Sequence, residues 1–199
     1  HLKVEQIVEW LDGGKIDGPW ARYFFDLAAE AQTQEYDLHK LVTTKIQELS
    51  ASMPKAWRDS LDERTTVRLP GFANPVTRYT LISIALNMGN EQNMQRLRDG
   101  YGWSQDDFNA IRQALSTDDM TFVQGTWDAI ELLWPYMAEL EKRMSGLEPV
   151  KVVAMPFEHK GVEYRGGYFP LVYDPKKSGA GEKQASETES VQSFVAQGY

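Results

Sequence analysis

Histidine and acidic side chains are the groups in this sequence that could bind a metal or transfer protons. Glu35 and His39 lie four residues apart on a predicted helix, so one helix face could present two metal ligands. A carboxylate-bridged metal site needs more such ligands on neighbouring helices, and none follows that pattern here. The pair is therefore predicted to be solvated, and no metal, no cofactor and no catalytic residue is expected.

Two acidic pairs could supply a general acid and a general base. Asp106–Asp107 and Asp118–Asp119 each come shortly after a serine, in the first turn of a predicted helix. In that position carboxylates complement the helix dipole and complete a capping box. Helix capping therefore explains both pairs without catalysis. The chain has no cysteine, which excludes a thiolate nucleophile and zinc bound by cysteine.

A basic and aromatic group could contact nucleic acid. Arg96, Arg98, Tyr101 and Trp103 lie in or just after an amide-rich stretch, residues 87–98, and could contact phosphates and stack on bases. The alternative is structural: the asparagines cap a helix and brace a helix corner, while the tryptophan lies in the core. The formal net charge of −8 argues against wrapping of nucleic acid by the whole domain. The structural interpretation is favoured.

The second candidate site is the segment of residues 164–170. Its paired glycines permit close approach of another backbone. Arg165 could bind a phosphate or a carboxylate, and three aromatic side chains flank it: Tyr164, Tyr168 and Phe169. The alternative is an aromatic clasp packed against Trp127 and Trp134 on the long helix predicted over residues 118–144. The clasp is favoured, with its aromatic rings expected to be buried at a site that Trp134 helps to form.

The elements that must position these residues are mostly helical. Apolar residues recur at helical spacing, and the predicted fold class is mainly α: a multi-helix bundle with a small C-terminal β-hairpin or extended segment and a flexible tail. Three parts are predicted. Residues 1–148 form a helical domain that ends in a long helix over 118–144. Residues 149–174 form a β-hairpin or extended aromatic segment packed on that helix, and residues 175–199 form a linker or tail.

Particular residues predict where the elements begin and end. Asn74 is the expected N-cap of a buried helix that ends before a left-handed Gly89. A separate helix is expected to begin near Gln34, and Pro135 is expected to kink or split the long helix. Residues 151–155 include two adjacent valines and are expected to form a strand.

Three stretches of the chain resemble a known family. They are residues 86–90 leading to 100–103, residues 122–128 leading to 133–134, and residues 164–174. They resemble the helical accessory region of the large polyvalent proteins that tailed phages, prophages and conjugative elements carry. The resemblance implies an accessory domain without catalytic residues, associated with the virion or located in the bacterial cytoplasm. The partners it implies are other domains of the same polypeptide, or virion and phage proteins.

Three functions remain open at this stage. The first is a non-enzymatic scaffold or interaction domain that docks its partners through residues 164–173. The second is a nucleic-acid-handling module that contacts DNA or RNA through a patch of arginines: Arg96, Arg98, Arg112 and Arg165. The third is a fragment of an enzyme that another domain completes. No membrane span and no secretory signal peptide are predicted.

Overall fold

A computed structural model describes residues 3–170. These residues are mainly helical, with a small antiparallel sheet near the C-terminal end, and the predicted fold class is confirmed in this part of the chain. The described residues divide into two compact units, one of residues 3–39 and one of residues 40–170. The predicted tail over 175–199 lies outside the described residues. Within residues 3–170, no helix is long and apolar enough to cross a bilayer.

In the first unit, the carboxylate of Asp12 joins the end of one helix to the start of the next. The helical elements of this unit are α1 (Val4–Leu11), α2 (Pro19–Ala21), a π-helical turn (Arg22–Asp26) and the start of α3 (Leu27–Ser52). The Asp12 carboxylate accepts hydrogen bonds from the backbone amides of Trp20 (2.9 Å) and Ala21 (2.8 Å). Amides in a first helical turn have no partner within the helix, so Asp12 caps α2 from outside.

The helix α3 begins earlier than the sequence analysis predicts. The prediction of a separate helix that starts near Gln34 is wrong, because α3 runs without a break from Leu27. Residues 27–34 contain neither glycine nor proline and are rich in alanine, the strongest helix former. Nothing in that stretch ends a helix.

The second unit contains most of the predicted helix caps. Asn90, Ser104 and Ser116 each accept a hydrogen bond from the backbone amide three residues later, as predicted. Asp107 and Asp119 complete capping boxes with the two serines. The helices of this unit after α3 are α4 (Lys55–Asp59), α5 (Arg78–Leu86), α6 (Glu91–Tyr101), α7 (Gln105–Ala114), α8 (Thr117–Glu131) and α9 (Trp134–Ser145).

The N-cap predicted for α5 is wrong. The helix begins after Thr77, whose hydroxyl accepts a hydrogen bond from the backbone amide of Thr80, and not after Asn74. The residues before Thr77 pair instead with an earlier stretch: the Thr65 amide donates to the Val76 carbonyl at 2.9 Å. This backbone pairing keeps the chain extended up to the cap.

The core of the second unit lies where α5, α7 and α8 meet. Phe108, Ile111, Val123 and Trp127 are almost fully buried there, together with Leu81 of α5. Burial of one such side chain stabilises a fold by about 1.5–3 kcal/mol. This packing explains why α5 is apolar on most of its sides, as the sequence predicts.

The helix predicted over 118–144 is split, which confirms the expected effect of Pro135. α8 ends at Glu131 and α9 begins at Trp134, with the proline in the first turn of the second helix. A proline in that turn has no backbone N–H to leave unpaired, whereas inside a helix it would break a hydrogen bond.

The sheet is a hairpin of β1 (Phe157–His159) and β2 (Val162–Tyr164), in which Phe157 faces Tyr164. Lys160 and Gly161 form the turn, and both have positive φ (51° and 79°), as a two-residue hairpin turn requires. The strand predicted over residues 151–155 is wrong. Within residues 3–170 these residues have no partner strand, because the chain after β2 leaves the hairpin and bonds to residues near the start of α6.

Candidate functional site

The carbonyl of Gly89 anchors the segment that follows β2. Its oxygen accepts hydrogen bonds from the backbone amides of Met155 (2.9 Å) and Gly167 (3.0 Å). Gly166 has a φ of +75°, and a β-carbon there would lie 2.5 Å from the Met155 carbonyl oxygen and 2.6 Å from that of Gly89. A residue without a side chain is therefore required at this crossing. Gly89 itself does not have the left-handed conformation that the sequence analysis predicts.

Two fully buried asparagines hold the same segment from the side of α6. The Asn90 side chain caps the helix by accepting from the Asn93 amide (2.9 Å), and its own Nδ2 donates to the Gly167 carbonyl (3.1 Å). The Asn93 Nδ2 donates to the Phe169 carbonyl at 2.8 Å. The Asn90 side chain thus satisfies a helix end and a loop backbone at once, and the Asn93 side chain bonds to the loop backbone and to Arg96. These hydrogen bonds offset the penalty for burying the two amides.

α8 holds the segment from the opposite side. The Gln124 amide donates to the Gly166 carbonyl (3.2 Å) and accepts from the Arg165 backbone amide (3.0 Å). The Trp127 Nε1 donates to the Leu86 carbonyl at 2.8 Å, which fixes the indole beside Gly167. We call this assembly the clasp: Gly89, Asn90, Asn93, Gln124, Trp127 and residues 164–169.

The clasp places together parts of all three stretches on which the family resemblance rests, namely residues 86–90, 122–128 and 164–169. Tyr164 is buried and stacks on Phe157 with ring centroids 5.7 Å apart, and Phe157 meets the edge of Trp127 at 6.4 Å. Phe169 packs on the core, but the prediction that Tyr168 is buried is wrong, because 37% of its surface is exposed. Trp127 lies beside the segment, as predicted. Trp134, which was expected to form this site, instead lies under Lys151 at the start of α9.

The four predicted arginines lie beside acidic, amide or aromatic groups. One Arg165 nitrogen lies 2.8 Å from each carboxylate oxygen of Asp128, and Arg98 lies 2.6 Å from Glu91. Arg112 is half-buried, lies 5.0 Å from the Phe157 ring centre, and has its pKa lowered by burial. Arg96 contacts the Asn93 amide oxygen at 3.4 Å.

The two aromatic residues predicted with these arginines lie at the end of α6. Trp103 is buried, as the structural interpretation predicts, and its Nε1 donates to the Pro70 carbonyl at 3.1 Å. Tyr101 stacks on it at 4.8 Å and on Phe72 at 6.0 Å, with about half of its surface exposed. This aromatic stack covers the core edge next to Phe108.

A buried ion pair that the sequence analysis missed joins α4, α5 and α8. Asp119 accepts hydrogen bonds at 2.8 Å from Arg78 Nε and from Trp57 Nε1, while two further Arg78 nitrogens donate to Ser60 and Ser116. Burial raises the pKa of Asp119, but the hydrogen bonds from Arg78, Ser116 and Trp57 outweigh it and hold the pKa below its ordinary value. The sequence signal was an arginine at the start of an otherwise apolar helix.

The hairpin turn is fixed at the end of α7. The Leu115 carbonyl accepts hydrogen bonds from His159 Nε2 (3.1 Å) and from the Lys160 ammonium group (2.6 Å). Cationic and N–H groups at a helix C-terminus satisfy its last carbonyls and complement the helix dipole. Burial lowers the pKa of His159, and the positive charges of Lys160 and Arg112 lower it further.

No protein-family model, no curated protein and no solved structure matches this chain.

Clusters of metal ligands and surface depressions are further features that could indicate a reaction or a bound ligand. In residues 3–170, no three histidine or acidic side chains are grouped so that they could hold a metal ion. A shallow depression of about 380 Å³ lies between α9 and the chain after it, and it is lined mainly by apolar side chains together with Glu141, Ser145 and Glu148. Another of about 380 Å³ lies at the start of α5, beside Arg64, Phe72 and Thr77.

Large apolar side chains are exposed on two parts of the chain instead. In the first unit, five large apolar side chains between residues 10 and 24 are exposed, and Ile16 is 85% exposed. We call this set the N-terminal apolar face: Trp10, Ile16, Trp20, Tyr23 and Phe24. Trp20 stacks on Phe24 with ring centroids 6.2 Å apart. In the second unit, none of the residues of α9 is buried, and the exposed apolar residues on it are Tyr136, Met137, Leu140 and Met144. Helical periodicity in a sequence does not reveal whether a partner covers an apolar stripe.

Proposed function

We propose that this chain is a non-enzymatic helical scaffold and interaction domain. The observation that carries the proposal is the N-terminal apolar face. Soluble proteins rarely expose large contiguous apolar patches unless a partner covers them. Aromatic side chains are also the type most enriched at the centres of protein interfaces, and four of the five residues that define this face are aromatic.

The clasp supports a structural role for residues 164–169, which the first hypothesis had assigned to docking. Their backbone carbonyls and amides bond to Asn90, Asn93 and Gln124, so the segment is occupied within its own unit. The docking surface in this proposal is therefore the N-terminal apolar face.

The charge around this face indicates the chemistry of the partner. Residues 3–37 carry eight acidic and three basic side chains. Exposed apolar side chains on an acidic segment fit a protein surface that presents apolar side chains among lysines and arginines. An anionic membrane or a nucleic acid would be repelled by the same negative charge.

The biological setting remains a prediction. The resemblance to polyvalent proteins of phages and mobile elements supplies the proposed partners, which are other domains of the same polypeptide or virion proteins. No observation on the arginines favours the nucleic-acid alternative, because Arg98 and Arg165 contact carboxylates. Direct measurement of DNA and RNA binding by the full chain tests that alternative.

Site-specific photocrosslinking tests the interaction role. A photoreactive amino acid replaces Phe24 in the full chain, in cells that naturally produce it, and Tyr79 is replaced in the control because it is equally aromatic and exposed but lies in the second unit. We expect discrete protein adducts from position 24 that are lost in the Trp20→Ser variant. Identical adducts from both positions, or none from position 24, contradict the proposal.

A further inference from the structure

The chain that leads into β1 continues the hairpin beyond the end of its partner strand. The ladder pairs Phe157 with Tyr164, and Met155 still lies beside Gly166. At Gly167 the opposite arm turns away, and its amide bonds to the Gly89 carbonyl. Residues 150–154, which we call the edge segment, therefore extend one arm of an antiparallel pair after the other arm has left.

The backbone of the edge segment is unpaired. Within residues 3–170, no hydrogen bond joins its N–H and C=O groups to another protein group, and the next backbone bond is that of Met155. Val150 is 93% exposed and Val153 is 83% exposed. A β-branched segment with free backbone groups is the surface that a sheet edge presents to an added strand.

The edge segment adjoins the exposed face of α9. The chain reverses at Gly146, which has a φ of +73°, and runs back along the helix. Lys151 forms an ion pair with Glu131 and lies 5.7 Å from the Trp134 ring centre, which fixes the segment against the start of α9. The helix and the turn after it carry five exposed apolar side chains: Tyr136, Met137, Leu140, Met144 and Leu147.

We propose that the edge segment pairs with the same segment of a second copy of this chain. The two strands run antiparallel about a twofold axis at Val152, and the exposed faces of the two α9 helices become covered beside them. This dimer surface is separate from the N-terminal apolar face, and neither proposal depends on the other.

The side chains of the segment suit pairing with itself. In the register centred on Val152, Val150 faces Ala154 and Lys151 faces Val153. No like charges stand opposite each other, and every pair of the ladder contains a valine. An isologous contact of this kind has the same residues on both sides and closes after two copies.

The charge of this region and the positions of two prolines favour pairing of two copies over growth into a sheet of many strands. The whole chain has a formal charge of −8, whereas residues 131–153 carry four acidic and three basic side chains, so two copies meet where repulsion is small. Pro149 and Pro156 flank the segment and lack the N–H that a ladder needs. They confine the pairing to one short strand and prevent growth into a longer sheet.

Sedimentation velocity of the full chain over about a hundredfold range of concentration tests the dimer. We expect a concentration-dependent dimer that Val152→Pro abolishes, because proline removes the central N–H. Val153→Lys places a lysine opposite Lys151 of the partner subunit in both symmetric pairs, whereas Val153→Glu places an opposite charge there. The lysine variant is expected to dissociate at about tenfold higher concentration than the glutamate variant.

Ile16→Lys is the matched control, because it charges an equally exposed apolar residue in the first unit and should leave the dimer intact. Circular dichroism verifies that each variant remains folded, and the two Val153 variants preserve the test if Val152→Pro does not fold. A chain that stays monomeric at every concentration overturns the proposal. A dimer that is unaffected by all changes at positions 152 and 153, or that Ile16→Lys disrupts instead, also overturns it.

Discussion

The indole ring of Trp127 lies so close to Gly89 that a β-carbon on the glycine would stand 2.5 Å from Cζ2 of the ring. The same atom would stand 2.6 Å from the Gly167 carbonyl oxygen. The ring cannot easily move aside, because its Nε1 donates to the Leu86 carbonyl. The close contact of helix corner, clasp segment and tryptophan therefore depends on a residue without a side chain at position 89.

Gly89→Ala should lower the free energy of unfolding by about 3 kcal/mol, because an added methyl group in a packed site forces its neighbours apart. Urea denaturation followed by tryptophan fluorescence measures the change. Gly100→Ala is the control: it lies inside α6 with no atom within 4 Å of the added carbon. Alanine there should raise stability by about 0.5–1 kcal/mol. Equal effects of the two substitutions would contradict the packing argument.

Asn90 is expected to be the most sensitive polar residue of the clasp. Asn90→Ala removes the cap of α6 and leaves the Gly167 carbonyl without its side-chain donor, so unfolding free energy should fall by about 2–3 kcal/mol. Asn90→Ser retains a capping hydroxyl and should lose less. Asn109→Ala, on the exposed side of α7, should change stability by less than about 0.5 kcal/mol. Thermal and urea unfolding of the three variants decide the ranking.

The sequence predicts the local features of this fold better than the contacts between distant residues. Ser104 and Ser116 were identified as caps because a cap depends on residues within one turn. The break at Pro135 is also predicted, because the effect of a proline on a helix is local. The pairing of residues 63–65 with 76–78, which moves the start of α5, depends on residues more than ten positions apart and leaves no local pattern.

The same distinction applies to the candidate site. The clasp was favoured over a binding role for residues 164–169, but the sequence could not show that Asn90 and Asn93, more than seventy positions earlier, supply its hydrogen bonds. Asp119 was correctly assigned to a capping box, yet its other oxygen contacts Arg78 and Trp57. One residue can cap its own helix and also bond to a distant partner. The sequence pattern reveals the cap but not the distant partner.

The buried and exposed ion pairs of the second unit should differ strongly in strength. Arg78→Ala leaves the buried Asp119 carboxylate without its cationic partner and should lower the free energy of unfolding by about 3–5 kcal/mol. Lys55→Ala breaks the exposed pair with Asp59 and should change it by less than about 1 kcal/mol. Guanidinium chloride is unsuitable because it screens charge, so urea denaturation gives the comparison. Similar losses in the two variants would show that Arg78 is not part of a buried network.

His159 should make the stability of the second unit depend on pH. Burial, Lys160 and Arg112 lower its pKa below the ordinary value of 6.5, more than the Leu115 carbonyl and Asp119 raise it. The folded chain therefore binds a proton less readily than the unfolded chain. The stabilisation from neutral His159 is complete above pH 6.5 and is lost as the pH falls from 6.5 through the lowered pKa of the folded state.

His159→Gln removes this titration while an amide N–H remains to bond the Leu115 carbonyl. We expect the free energy of unfolding of the wild-type chain to fall relative to the His159→Gln variant as the pH is lowered from about 7 to about 5. Urea denaturation at several pH values measures the difference. His39→Gln, which removes an exposed histidine of α3, should follow the wild-type curve. Parallel curves for the wild-type and His159→Gln chains would contradict this prediction. They would mean that the His159 imidazole binds a proton equally well in the folded and unfolded states. The contact of His159 with Leu115 would then not depend on a neutral imidazole.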